Sequence, residues 1–370
     1  MSSKKLKLET LNQYLKGTET GKNFLLINKI GSETVNINLS KYRKINFKKA
    51  PFYFVGSGSS FSVALFARNL FSHYTNIPCF AYTVYDYLNF AKSGGTVFII
   101  SQSGSTPDVL SAISWAQKMN SQIFAVSSAS PDNKNNNLFK FLKVDQVFNI
   151  NCRIEDAFIN SVSPLVSCLI FIEILNFYKK GIFNNFLKNK NIFQYLFNNS
   201  LKKFAALKFM DPNGKHFICL GSGLSGAAVN ELDLKINEAI LEDSEKSELK
   251  DYTHGRFLKT LIYPKKNYFF IFLGSNRDKK LINFLKLKLK HPNLLVIRNL
   301  KNPALNSWQL FFDVLMLAAF LSFCKNKTTN SGEVFDPALF KIPAASRNIN
   351  IGFNLIKNKR RSTKNPIIII

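Results

Sequence analysis

Acidic residues are scarce in this chain. Its 370 residues include 23 Asp and Glu against 50 Lys and Arg, giving a formal net charge of +27. Such an imbalance fits either a polyanionic partner or compositional drift. No recognised nucleic-acid module accompanies it, and the basic residues are dispersed apart from Lys357-Asn358-Lys359-Arg360-Arg361. The crowd of Lys, Asn, Ile and Phe (36 Phe) follows A/T-rich codons. Drift is therefore the preferred reading, and nucleic acid is not the expected partner.

Paired cysteines are also missing. The five Cys stand at Cys79, Cys152, Cys168, Cys219 and Cys324, an odd number with no CxxC or Cys/His spacing. That argues against a zinc site and for reduced thiols in a cytoplasmic protein. No metal and no redox cofactor is expected. Long uninterrupted apolar runs are lacking too. Residues 310–323 contain Asp313, and residues 162–178 contain Pro164 and Glu173, so both read as buried helices that fall short of membrane spans. The opening MSSKKLKLET has no apolar core for a signal peptide, and no membrane association is expected.

What is present is most informative at residues 94–108, GGTVFIISQSGSTPD. An apolar strand stops at Ser101-Gln102-Ser103-Gly104-Ser105-Thr106, and Pro107-Asp108 open a helical pattern. A hydroxyl-rich turn at a helix N-terminus gathers donors where the helix dipole favours negative charge. It reads as a phosphate cradle, although such turns also serve simply as helix caps.

The chain repeats itself. Phe52-Tyr53-Phe54-Val55-Gly56-Ser57-Gly58-Ser59-Ser60 parallels Phe217-Ile218-Cys219-Leu220-Gly221-Ser222-Gly223-Leu224-Ser225. Each copy is an apolar strand, a G-S-G-x-S turn and a small-residue helix, over residues 61–70 and 226–235. Alternating strands and helices predict a parallel sheet covered on both sides, and two copies predict two α/β domains. They are placed at 46–185 and 200–325, after a lead-in of a helix and a hairpin at 1–45 and before a tail at 326–370. The polar stretch 183–199 is the expected linker. A dinucleotide fingerprint is the competing reading of the first turn, but G-x-G-x-x-G needs glycine where Phe61 stands.

The copies differ. The second loop, Gly274-Ser275-Asn276-Arg277-Asp278, lacks most of the hydroxyls, so the first copy is expected to hold the phosphate. The second copy is rich in acid instead, with eight of the 23 acidic residues between Glu231 and Asp251. Glu231, Lys235 and Glu238 share one helical face, spanning roughly 10 Å. An ordinary surface ladder of ion pairs has the same spacing. His254, in a loop read as following a charged helix, adds a group able to carry protons near neutrality.

With these residues in hand, the chain resembles the double SIS (sugar isomerase) family, over about residues 46–345. It looks most like the isomerase half of glucosamine-6-phosphate synthase and the fructosamine-6-phosphate deglycases. The resemblance implies two tandem doubly wound, flavodoxin-like α-β-α sandwiches. It implies that Ser60, Ser101, Gln102, Ser103 and Thr106 bind a substrate phosphate. It assigns the E-x3-K-x2-E pattern to Glu231, Lys235 and Glu238, with Glu238 as the base working between C1 and C2. It gives His254 a part in ring opening, often from the neighbouring subunit, and hence a homodimer with a shared active site. Asp336-Pro337-Ala338-Leu339-Phe340-Lys341 resembles the family's closing tail, with Lys341 as carbonyl partner.

Two departures stand out. No glutaminase domain precedes residue 46, and Arg256 follows His254-Gly255 where the synthases have Pro. Arg256 could meet a second anionic group of a substrate, or pair with Asp251 or Glu248. The expected activity is therefore a sugar-phosphate isomerase, deaminase or deglycase. The alternative is a non-catalytic sugar-phosphate sensor, because fold alone does not decide function.

Overall fold

The computed structural model describes residues 19–104, 106–128, 143–152, 160–187, 191–205, 212–262, 268–274, 283, 294–298 and 303–324. Two parallel sheets organise it, and both read from one pattern.

The first sheet has five strands, β1 (Phe52–Val55), β2 (Cys79–Tyr82), β3 (Thr96–Ile100), β4 (Gln122–Ser127) and β5 (Gln146–Asn149), in the order β2-β1-β3-β4-β5. All of its pairings are parallel. β1 and β3 are buried on both faces, which is why they read as continuous apolar runs. Side chains alternate between two cores. Phe52, Phe54, Phe98, Phe124 and Phe148 face α2 (Ser59–Tyr74) and α5 (Val162–Tyr178). Tyr53, Val55, Val97, Ile99 and Ile123 face α3 (Val84–Phe90) and α4 (Pro107–Lys118). On the first face Phe54, Phe98, Phe124 and Phe148 form a stack with successive centroids 5.3, 5.3 and 5.4 Å apart. The abundant Phe thus fills one layer of this core.

The lead-in differs from its expectation. It is the helix α1 (Glu19–Asn38) followed by a 3-10 turn (Leu39–Lys44), with no hairpin among the described residues. α1 covers the outer edge of β5. Asn38 Nδ2 donates to the Asn149 carbonyl at 2.6 Å, Asn38 Oδ1 accepts from Asn149 N–H at 3.1 Å, and Thr34 Oγ1 donates to the Ile150 carbonyl at 2.8 Å. A side-chain amide here satisfies strand groups that an open edge would leave for another chain.

The stretch expected to be a linker is largely helical, with α6 (Asn184–Leu187) and α7 (Ile192–Ala205). Phe193, Leu196, Phe197, Leu201 and Phe204 are all buried and lie on one face of α7. Asn198 and Lys202 are exposed on the opposite face.

The second sheet contains β6 (His216–Gly221), β7 (Ser244–Glu248), β8 (Tyr268–Gly274) and β9 (Leu294–Arg298), in the order β7-β6-β8-β9 and again parallel. This repeats the first four positions of the first sheet. β7 corrects the reading of a charged helix ahead of His254. It is a polar strand that pairs only with β6 among the described residues, and an edge strand tolerates such a sequence. Two short helices follow it, α9 (Leu249–Asp251) and, after a π-helical turn, α10 (Phe257–Ile262).

After β6 comes α8 (Gly226–Lys235), which continues into a π-helical turn, Ile236–Ile240. α8 packs antiparallel on α2. Ser59 meets Glu231 at one end, Asn230 Nδ2 donates to Ser62 Oγ at 2.8 Å in the middle, and Asn69 Nδ2 donates to the Gly223 carbonyl at 3.0 Å at the other end.

The last described helix, α11 (Pro303–Cys324), is longer than the apolar run suggested. Its Ala304–Ser322 segment is long and apolar enough to cross a membrane, yet 89% of it is buried inside the fold. Its one carboxylate, Asp313, is fully buried and accepts from Ser200 Oγ at 2.7 Å and Lys203 Nζ at 2.6 Å. A buried charge satisfied in this way belongs to a core helix.

Candidate active site

In the first sheet the chain runs outward from β1 to β2 and then crosses back to β3. The loops leaving β1 and β3 diverge, and a crevice opens at their carboxyl ends. A cavity of about 200 Å³ lies there. One wall is the turn Ser57-Gly58-Ser59-Ser60, a second is Gln102, and a third is Asn160 with Ser163 and Ser167 of α5. Lys235 and Glu238 supply the charged side.

Two glycines shape the turn. Gly58 has φ +58°, a left-handed conformation that other residues rarely adopt. Gly56 is required for space, because a Cβ there would lie 2.6 Å from the backbone carbon of Ser60. Ser60 N–H donates to the Ser57 carbonyl at 3.1 Å and closes the turn onto the start of α2. Opposite, the carbonyl of Gln102 accepts from Ser128 N–H at 3.0 Å and Ser127 Oγ at 3.1 Å. This fixes the backbone of Gln102 against the end of β4.

The charged side is a chain of three groups. Glu231 is fully buried and Lys235 is 1% exposed. Glu231 Oε1 accepts from Ser59 Oγ at 3.0 Å and lies 3.6 Å from Lys235 Nζ. Lys235 Nζ then reaches Glu238 Oε2 at 3.0 Å. Glu238 is partly open, its side chain 38% exposed at the cavity. Among the described residues Glu231 Oε2 has no hydrogen-bond partner. The Cys168 thiol is pushed well up by its burial and by Glu231, which makes it a poor nucleophile. The arrangement therefore offers one accessible carboxylate, one buried ammonium that orients it, and hydroxyl and amide groups around a small polar space. It suits proton transfer on a small polyhydroxy ligand.

Residues 47–169 match the SIS domain family. The chain carries a SIS domain. That match spans the first sheet and ends within α5. The fold as a whole is similar to the C-terminal domain of glucosamine-fructose-6-phosphate aminotransferase from Francisella tularensis, at a TM-score of 0.62 and 14% identity, covering 85% of this chain and 97% of that one. It is also similar to glucosamine-6-phosphate deaminase from Thermotoga maritima, at a TM-score of 0.65 and 19% identity, covering 85% and 97%. At these identities the likeness is one of fold. No curated protein matches the chain.

The cavity brings together Ser60, Gln102, Lys235 and Glu238, with Glu231 directly behind. It does not bring all the expected residues to its wall. Ser101 is 8% exposed, and its Oγ accepts from Gly104 N–H at 3.1 Å, so its side chain stabilises the loop from within. Ser103 is half-buried, and Thr106 is exposed at the N-cap of α4 without capping it. Neither lines the cavity. His254 is exposed on the π-helical turn Tyr252–Arg256 and is likewise away from this wall. Arg256 pairs with Asp251, Nε to Oδ2 at 3.0 Å, which settles the choice between Asp251 and Glu248. Lys341 lies outside the described residues.

Sequence reasoning missed Ser59, Asn160, Ser163 and Ser167. For the last two a signal existed. They stand four apart, hence on one face of an otherwise apolar helix.

Proposed function

We propose that this chain acts on a phosphorylated sugar, most closely an aminosugar or ketosamine phosphate, as an aldose–ketose isomerase, deaminase or deglycase. The observation that carries this reading is the Lys235–Glu238 pair opening into a hydroxyl-lined cavity at the crossover of a SIS sheet. The activities named for the Francisella and Thermotoga proteins agree with it.

In this reading Ser60 and Gln102 hold the phosphate, and Ser103 and Thr106 join the cradle once their loop turns toward the bound ligand. Ser101 keeps that loop in shape through Gly104. Anchoring the phosphate aligns a small flexible substrate for reaction. Glu238 takes the proton from one of the carbons C1 and C2 of the open chain and returns it to the other. A donor near the carbonyl oxygen receives the developing charge. Lys235 orients Glu238, and Glu231 with Ser59 holds Lys235. His254 opens the sugar ring from a neighbouring subunit, which fits its exposed position and implies a homodimer with a shared site. Lys341 meets the carbonyl from the C-terminal tail.

The proposal includes two SIS-type domains, 46–185 and 200–325, flanked by a lead-in at 1–45 and a tail at 326–370. The matching strand orders of the two sheets support that division. A cytoplasmic enzyme without cofactor is the setting proposed.

The test is incubation with fructose 6-phosphate, glucosamine 6-phosphate and fructosamine 6-phosphates in deuterated water. Deuterium at C1 or C2 is expected. Binding without exchange would point instead to a sugar-phosphate sensor.

A further inference from the structure

A second cavity, of about 580 Å³, lies at the turn that opens the other copy of the repeat. Its walls are Ser222 and Gly223, Arg68 and Asn69 of α2, and the segment from Lys246 to Asp251.

The two cavities are built alike. Ser225 N–H donates to the Ser222 carbonyl at 3.1 Å, as Ser60 does to Ser57, and Gly223 has φ +54° where Gly58 has +58°. Because α2 and α8 run antiparallel, each cavity takes a turn from the start of one helix and a cation from the far part of the other. In the front cavity that cation is Lys235; in the back one it is Arg68.

Arg68 is the anomaly here. The other two cations at this cavity are matched. Lys246 lies 3.7 Å from Asp233 and donates to Asn230 Oδ1 at 2.6 Å, and Arg256 pairs with Asp251. Arg68 is half-buried, and its Nε is buried with no hydrogen-bond partner among the described residues. Burial pulls its guanidinium below the ordinary value. A half-buried guanidinium whose buried Nε–H meets no acceptor is stabilised when an anion pairs with it. Its planar fork matches an oxyanion better than an ammonium does.

We propose that this back cavity is a second small-molecule site that takes a phosphate monoester of a small polyol. Its oxyanion is held by Arg68 beside the Ser222-Gly223 turn. Asn69 and Glu248 line the same cavity and can meet its hydroxyls. The site is separate from the front cavity and does not depend on the reading given to it.

The experiment is calorimetric titration of the full chain with fructose 6-phosphate and with inorganic phosphate, at physiological salt. The expected result is two equivalents of fructose 6-phosphate per chain. Arg68→Met removes one of them, and Gln102→Ala weakens the other. Arg68→Lys, which keeps the charge and loses the fork, weakens the back site at least several-fold and covers the case in which Arg68→Met does not fold. Inorganic phosphate binds the back site more weakly than the sugar phosphate does. Loss of the front equivalent alone would sink the isomerase reading and leave this proposal standing. The proposal is overturned if the Arg68 variants bind as the wild type does, or if free phosphate binds the back site as tightly as the ester. It is equally overturned if Lys29→Met, which removes an exposed surface cation, lowers binding as much as Arg68→Met.

Discussion

The ammonium of Lys235 lies 3.0 Å from the carboxylate of Glu238, across the point where α8 gives way to a π-helical turn. The wider turn leaves Glu238 facing the cavity while its partner stays buried. Behind them Glu231 is wholly enclosed, so the accessible carboxylate rests on a buried ion pair. This relay gives rise to the first two predictions.

Replacing Lys235 by Met leaves Glu231 as an unpaired buried charge. Removing one partner of such a pair costs about 3–5 kcal/mol. Urea denaturation of Lys235→Met is expected to register a loss of that size. The double variant Glu231→Gln/Lys235→Met should recover much of it, because no uncompensated charge remains. Equal stability of the single and double variants would count against a buried pair.

Glu238→Gln keeps the shape of the site and removes the base. Deuterium incorporation into sugar phosphate is expected to fall by about 10²–10⁴, the usual contribution of general acid–base catalysis. Affinity for the sugar phosphate should change little. An unchanged exchange rate would remove Glu238 from the chemistry.

Gly56 tests the turn itself. In Gly56→Ala the new Cβ would meet the Ser60 backbone at 2.6 Å, a clash that only movement of the turn can relieve. Sugar-phosphate affinity is expected to drop at least about tenfold, since positioning tolerates little displacement. Binding equal to the wild type would place the phosphate elsewhere.

Glu173 contributes to the pH dependence of stability. It is 7% exposed on the apolar helix α5, and burial raises its carboxyl from an ordinary 4.5 to about 7. The neutral acid is thus the form the fold prefers. Stability from this group is complete below pH 4.5, declines as pH rises between 4.5 and 7, and levels off above that. The shift corresponds to roughly 3 kcal/mol at 1.36 kcal/mol per unit. Glu173→Gln should flatten that decline, as read from melts at pH 5 and pH 8. Parallel pH profiles for the two proteins would contradict the assignment.

β1 and β3 were legible because both of their faces are buried, so their apolar runs needed no periodicity. The start of α8 at Gly226 was legible from the repeated glycine turn, and the Glu231–Lys235 pairing from its helical spacing. β7 was not, since Ser244–Glu248 is polar and becomes a strand only through pairing with β6. The composition of residues 192–205 hid a helical spacing that buried Phe193, Phe197 and Phe204 make plain. In the site, Gln102 was read from the hydroxyl-rich turn that carries it, and Ser60 from the family resemblance; both line the cavity. Which way Ser101, Ser103 and Thr106 point depends on the path of the loop backbone, and residue type does not encode that. The spacing of Ser163 and Ser167 was a signal, but it was overlooked in a helix that otherwise reads as core on every face.

The most direct measurement is a crystal structure of the chain soaked with fructose 6-phosphate. The account predicts phosphate density against the Ser57–Ser60 turn and Gln102, with the C1–C2 end of the sugar within hydrogen-bond reach of Glu238. A ligand bound away from that turn, or one lying there with its carbons turned from Glu238, would contradict it.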